Sequence, residues 1–188
     1  MNEQVKREIA RLEAFIPTVD DALALPKEAC MFLHVLILSH GTREVVEVGT
    51  SYGFSGLWIA GALQLTDGRL RTIDRDERKL DAARQSFEAA GVASIVEALQ
   101  AEAVEALADI DGPIDLLLLD AEKEQCRQFV ELAMPKLSDR AIIVIDNTLT
   151  HADELRDFLA WLRSRETFTC AAIDIGNGLE MAVNYEDR

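Results

Sequence analysis

The sequence predicts an α/β protein built on a doubly wound sheet of seven strands, mostly parallel, with a terminal antiparallel hairpin and helices on both faces. Three observations predict it. From residue 43 onward, short apolar runs alternate with amphipathic helical segments, the pattern of parallel strands joined by helices. Val45-Val46-Glu47-Val48 reads as a buried strand, and it passes through a Gly-rich turn into a helix carrying Leu57, Trp58, Ala60 and Leu63. Near the end of the chain, two strand-like runs flank Gly176-Asn177-Gly178, a connection short enough for an antiparallel hairpin.

Each element follows from local pattern. Residues 3–16 space Val5, Ile9, Leu12 and Ile16 by four, three and four, an apolar helical stripe that Pro17 ends. A second helix is expected over 27–39, with Met31, Phe32, Val35, Leu36 and Leu38 apolar and Gly41 as its stop. These N-terminal helices, within residues 1–42, precede the sheet and are expected to cover a sheet edge or the substrate mouth. His34, with no sequence neighbour to orient it, reads as a packing or surface residue. The core, 43–188, begins with strand 44–48, helix 53–65, strand 69–74, helix 76–90 and a weaker strand at 94–98. A short helix at 102–109, strand 114–120, helix 123–134, strand 141–146 and helix 152–165 follow, and strands 168–175 and 179–184 close it. No linker or internal repeat interrupts the 188 residues, so a single domain is expected.

Composition limits the partners. A share of 49% hydrophobic residues supports a substantial core. With 19 basic against 34 acidic residues the formal charge is -15, and no basic patch interrupts it, so nucleic acid and anionic membrane surfaces are excluded as partners. No apolar run approaches the roughly 18 residues of a membrane span, and residues 1–16 carry charges of both signs rather than a leader-like apolar core. Cys30, Cys126 and Cys170 are widely spaced, show no metal-ligand pattern and read as packing residues of a reducing compartment. A cytoplasmic location is expected.

The turn after the first strand narrows the ligand. Counting from Gly49, the second and third glycine positions of a dinucleotide fingerprint hold Ser51 and Phe54, so a pyrophosphate cradle is absent. The second strand ends in Asp74, a carboxylate suited to two ribose hydroxyls. Ribose without diphosphate points to S-adenosylmethionine (SAM). Glu47, Asp74, Asp120 and Asp146 each sit at or next to a strand end, where a ligand crevice lies in such sheets. Strands about 4.8 Å apart would bring Asp120 close to Asp146 and Asn147, and three hard oxygen donors suit Mg2+, Mn2+ or Ca2+. Read singly, each of these residues is an ordinary helix cap or turn residue. Lys123 is either a base beside a metal-held hydroxyl or a solvated lysine within Glu122-Lys123-Glu124.

These motifs together resemble a known family. VVEVGTSYGFSG, the TID ending at Asp74, AEA at 101–103, LLLLDAEK ending at Lys123, IDN at 145–147 and IGNGL at 175–179 are similar to those of the small class I SAM-dependent O-methyltransferases, which include catechol and caffeoyl-coenzyme A O-methyltransferases. The resemblance implies a Rossmann-like fold. It implies that Glu47, Gly49, Thr50, Gly53 and Ser55 surround the methionine and ribose end of SAM, that Asp74 binds ribose and that Ala103 lies by adenine. Asp120 would border the cofactor and, with Asp146 and Asn147, hold the metal, while Lys123 would act as base. The implied reaction is in-line methyl transfer to a metal-held hydroxyl of a small catechol-like acceptor.

The chain departs from that pattern in places. Glu122 stands where relatives have Asp, Cys126 replaces an aromatic residue, and Thr148-Leu149-Thr150-His151 leads straight into a helix where relatives carry a longer acceptor-covering loop. His151 reads as an ordinary helix-start residue. Three alternatives stay open: transfer without a metal to another small acceptor, a SAM-binding protein without turnover, and a nicotinamide-dependent oxidoreductase. The apolar residues of the first two helices could bury against a second copy, which points to a homodimer.

Overall fold

The computed structural model describes residues 1–185, so the last three positions of the expected 43–188 core lie outside the described residues. The helices are α1 (Glu3–Phe15), α2 (Lys27–His40), α3 (Phe54–Thr66), α4 (Glu77–Ala89), α5 (Ala103–Asp109), α6 (Cys126–Ala133) and α7 (Ala152–Arg163). The strands are β1 (Glu44–Val48), β2 (Arg69–Asp74), β3 (Val96–Gln100), β4 (Ile114–Leu119), β5 (Leu137–Asp146), β6 (Phe168–Ile173) and β7 (Leu179–Asn184). They form one sheet in the order β3-β2-β1-β4-β5-β7-β6. Pairing is parallel from β3 through β5, and β7 runs antiparallel to both β5 and β6. The order reverses between β1 and β4, so the crevice outside their carboxyl ends is the place for a ligand.

The apolar runs of the central strands are buried on both faces, which is why they carry no polar alternation. Val45, Leu70, Leu116, Leu118 and Val144 pack beneath α1 to α4. Their neighbours Val46, Ile73, Leu117, Leu119 and Ile145 pack against α5 to α7. The two N-terminal helices lie on that first face against α3 rather than along a sheet edge, because Val5, Ile9, Leu12, Leu33 and Ile37 join the same apolar cluster. His34 places Nδ1 2.9 Å from the Trp58 carbonyl and its ring against the indole, a packing role.

Several boundaries differ from the sequence expectation for local reasons. The third strand covers 96–100 instead of 94–98 because Ala93–Ile95 coil into a 3-10 turn. β5 starts four residues before Ala141: the polar run Ser138-Asp139-Arg140 forms an irregularity in the β4–β5 ladder, with Arg140 at φ 60°. The helix expected over 123–134 divides into a 3-10 turn, Lys123–Gln125, followed by α6. β6 ends at Ile173, two residues early, since the Ile175 N–H turns back to the Ile173 carbonyl.

Phe87 of α4 supports the Gly-rich loop from below. Cβ atoms placed on Gly53 and Gly56 would stand 3.1 and 2.9 Å from its ring, so both glycines admit it. Phe87→Ala is expected to lower stability by about 3–5 kcal/mol through the cavity it leaves, measured by urea unfolding.

Candidate active site

β1, β2, β4 and β5 end together, and their exits form the walls of a cleft of about 610 Å³. The first wall is the turn after β1. Gly49 has φ 101°, and a Cβ there would lie 2.1 Å from the Asp120 carbonyl oxygen, so only glycine lets the β1 and β4 exits run against each other. Ser51 and Asp76 donate their backbone N–H groups to the two carboxylate oxygens of Asp74, at 2.7 and 2.9 Å, which fixes that carboxylate at the rim.

The second wall carries the acids of β4 and β5. The register that pairs Leu119 with Ile145 sets the next residues, Asp120 and Asp146, side by side. Burial pushes the Asp146 carboxyl up to about 6, and the Asp120 charge adds to the effect. The Asp120 carboxyl is likewise raised by burial, against the opposing Lys123 charge. Asp146 Oδ1 is buried without a hydrogen-bond partner. Lys123 Nζ stands 3.7 Å from Asp120 Oδ1 on a side chain only 10% exposed. Asn147 lines the same cleft with φ 67°.

Of the residues singled out in the sequence, Gly49, Asp74, Ala103, Asp120, Lys123, Asp146 and Asn147 line the cleft together. Thr50 and Ser55 line a narrow recess beside it, bordered by Gly49 and Asp120. Glu47 and Gly53 line neither. Glu47 lies one residue short of the end of β1, so the pleat turns its side chain away from the rim into the face beneath α3, where it is fully buried. It accepts hydrogen bonds from Ser55 Oγ at 2.5 Å and Thr72 Oγ1 at 2.6 Å. Among the described residues, no group of three His, Cys, Asp or Glu side chains is placed to hold a metal; the candidate set here is two carboxylates and an amide.

A family described as O-methyltransferase matches residues 3–157. The catechol O-methyltransferase of Mycobacterium tuberculosis is 33% identical over 135 residues, 69% of this chain and 61% of that protein. The chain belongs to the O-methyltransferase family. A flavonoid 3',5'-methyltransferase of Vitis vinifera is 26% identical over 71% of the chain and 62% of its own length, so the chain spans somewhat less than two thirds of these relatives. The O-methyltransferase TomG from Streptomyces achromogenes, solved in complex with SAM, superposes with a TM-score of 0.84 at 25% identity, covering 99% of this chain and 91% of that one.

Parts of the cleft wall in this O-methyltransferase-family chain escaped sequence reasoning. Leu23 and Ala24, from the connector between α1 and α2, reach the cleft, although nothing in their local pattern marks them. His151 also lines it, as the N-cap position of α7, with Nδ1 3.1 Å from Thr150 Oγ1. Its place four residues beyond Asn147 was the available signal. The passage from Asn147 to α7 is as short as the sequence indicated. It is pinned to the β6–β7 turn by the Thr148 and Leu149 N–H groups, which donate to the carbonyls of Gly178 and Asn177.

The buried acid under this wall links stability to pH. Burial raises the Glu47 carboxyl from 4.5 to about 7, so the fold favours the protonated form. The stability contributed by that preference is present below 4.5 and is lost as pH rises through about 7. Glu47→Gln removes the titration. Its melting temperature relative to the parent is expected to rise between about pH 5 and about pH 8, measured by calorimetry at matched ionic strength.

Proposed function

We propose that this chain is a SAM-dependent O-methyltransferase, acting with a divalent cation on a hydroxyl of a small, catechol-like aromatic acceptor. The observation that carries the reading is the orphaned Oδ1 of Asp146, a residue that lines the same cleft as Asp120, Asn147 and the ribose-type carboxylate Asp74. A buried carboxylate oxygen without a donor, beside a second carboxylate, fits a hard cation. Asp120, Asp146 and Asn147 would hold Mg2+, or Mn2+ or Ca2+, which when bound supplies Lewis acidity to the acceptor oxygen.

The chain's own residues supply position. Asp74, held by two backbone N–H groups, keeps lone pairs for ribose hydroxyls. Gly49 keeps the floor between Asp74 and Asp120 free of side chain, so the methyl-bearing sulfur of SAM can lie close to the main chain. Lys123 Nζ, 3.7 Å from Asp120 Oδ1, would take the acceptor hydroxyl proton. The relatives named for catechol and flavonoid methylation support an aromatic acceptor. The short passage 147–151, pinned to the β6–β7 turn, would leave room for a bulky one. Free Cys30, Cys126 and Cys170 suit the cytoplasm.

The donor count favours a second reading, methyl transfer without a metal, in which Asp120 and Asp146 orient the acceptor as hydrogen-bonding acids. Chelation separates the two. On a catechol panel with labelled SAM, the first reading expects transfer that falls by about 100-fold or more on chelation and in Asp146→Ala. Transfer that survives both treatments removes the metal. Lys123→Leu is expected to lower kcat by roughly 10²–10⁴ with SAM affinity retained; an unchanged kcat removes the base role.

The exposed row Met31, Val35 and Leu38 on α2 supports self-association through that face as a homodimer. Light scattering is expected to give a dimer mass that Val35→Glu reduces to the monomer.

A further inference from the structure

His151 occupies a capping position without capping. It is the N-cap of α7, where Ser, Thr, Asp or Asn would accept a hydrogen bond from the first turn, yet its side chain makes no such bond. Its own N–H donates to the Asn147 carbonyl at 2.8 Å, and its carbonyl accepts from the Leu155 N–H. With the Thr148 and Leu149 bonds to the β6–β7 turn, these contacts fix the backbone from which the imidazole emerges. The ring is held as well, with Nδ1 3.1 Å from Thr150 Oγ1. Nε2 has no hydrogen-bond partner among the described residues.

Under the function proposed above, the imidazole belongs to the acceptor end of the cleft. His151 lines that cleft with Asp120, Lys123, Asp146 and Asn147, and α7 packs against the Lys123–Gln125 turn. Burial raises the Asp120 carboxyl while the charges of Lys123 and then His151 oppose the rise, so the ring stands within electrostatic reach of that acid. It is not a third metal ligand beside Asp120 and Asp146, since among the described residues no three His, Cys, Asp or Glu side chains are placed to hold an ion. The ring therefore has a hydrogen bond to offer an organic ligand. Where Thr150 donates to Nδ1, Nε2 carries the proton and donates; where Nδ1 donates to Thr150, Nε2 accepts. A hydroxyl meets either tautomer, because it both donates and accepts.

We propose that His151 determines acceptor specificity by hydrogen-bonding, through Nε2, a third ring hydroxyl next to the pair that meets Asp120, Asp146 and Asn147. The preferred acceptors are then vicinal trihydroxy aromatics rather than plain catechols. The inference rests on the O-methyltransferase reading given above. The short passage from Asn147 into α7 makes the contact available, because it sets an imidazole one turn beyond the Asn147 donor. A site that hydrogen-bonds a substrate hydroxyl rejects the analogue without it, since its own polar group then loses a partner. His151 is half-buried, so water replaces part of that bond and the discrimination is about ten-fold.

Two acceptors, 1,2,3-trihydroxybenzene and catechol, test it in the full chain. Each is titrated by calorimetry into protein saturated with Mg2+ and S-adenosylhomocysteine (SAH), where no transfer occurs, and each is offered separately with labelled SAM. The triol is expected to bind about ten-fold more tightly, above the roughly two-fold advantage that its two equivalent hydroxyl pairs give by statistics. In His151→Leu the affinity ratio is expected to fall to that statistical value. His151→Phe, closer in size to the imidazole, is expected to do the same and carries the test if the Leu variant does not fold. The ratio is internal to each variant, so a general loss of binding does not imitate the effect. Methyl transfer by the parent with a parental ratio at the statistical value, or with a ratio unchanged on substitution, overturns the specificity role alone. Absence of transfer to either acceptor by the folded parent overturns the function reading, and this inference with it.

Discussion

The parallel register of β4 on β5 is the constraint from which the candidate site follows. With Leu119 beside Ile145, the next residue of each strand is an aspartate, and the two lie side by side at the carboxyl ends of the strands. Unscreened, they repel, which is why burial and the Asp120 charge together lift Asp146 to about 6. The Lys123 ammonium at 3.7 Å partly relieves Asp120, while Asp146 Oδ1 has no hydrogen-bond partner. Such an arrangement is retained at a cost in stability, and the reading in which a cation joins Asn147 and the two acids accounts for that cost.

A second tension lies one strand away. Glu47 shares the sheet face of Val45, Leu57 and Leu118, a layer that is otherwise largely apolar. Its hydroxyl network satisfies the oxygens, and burial favours the protonated form. The same tight geometry that buries Glu47 also brings the β1 and β4 exits into contact at Gly49. Floor, rim and buried acid are therefore one unit, held by the pairing of β1 with both β2 and β4.

Much of this was legible in the sequence, because parallel strands buried on both faces leave a plain signal: apolar runs, each ending in an acid or a glycine turn. The seven strands, their mostly parallel pairing and the antiparallel end follow from that signal. The misplacements have local physical causes. Ser138-Asp139-Arg140 looks like a loop by composition, yet it continues β5 as an irregular edge because Ser138 Oγ donates to Asp115 Oδ1 across the ladder. Glu47 reads as a rim acid because its sequence position is near a strand end. The direction of its side chain depends on the pleat, and a shift of one residue reverses it. Leu23 and Ala24 reach the cleft only through tertiary packing, which no local pattern carries.

Under the function proposed above, the ribose carboxylate Asp74 and the cation donors Asp120, Asp146 and Asn147 serve a single cleft. A crystal structure of the protein with SAH and Mg2+ tests it most directly. The ribose hydroxyls are expected on Asp74, the thioether sulfur over Gly49, and Mg2+ on oxygen atoms of Asp120, Asp146 and Asn147. A nucleoside bound elsewhere, or an ordered cleft in which Asp120 and Asp146 turn away from the cation, would contradict it.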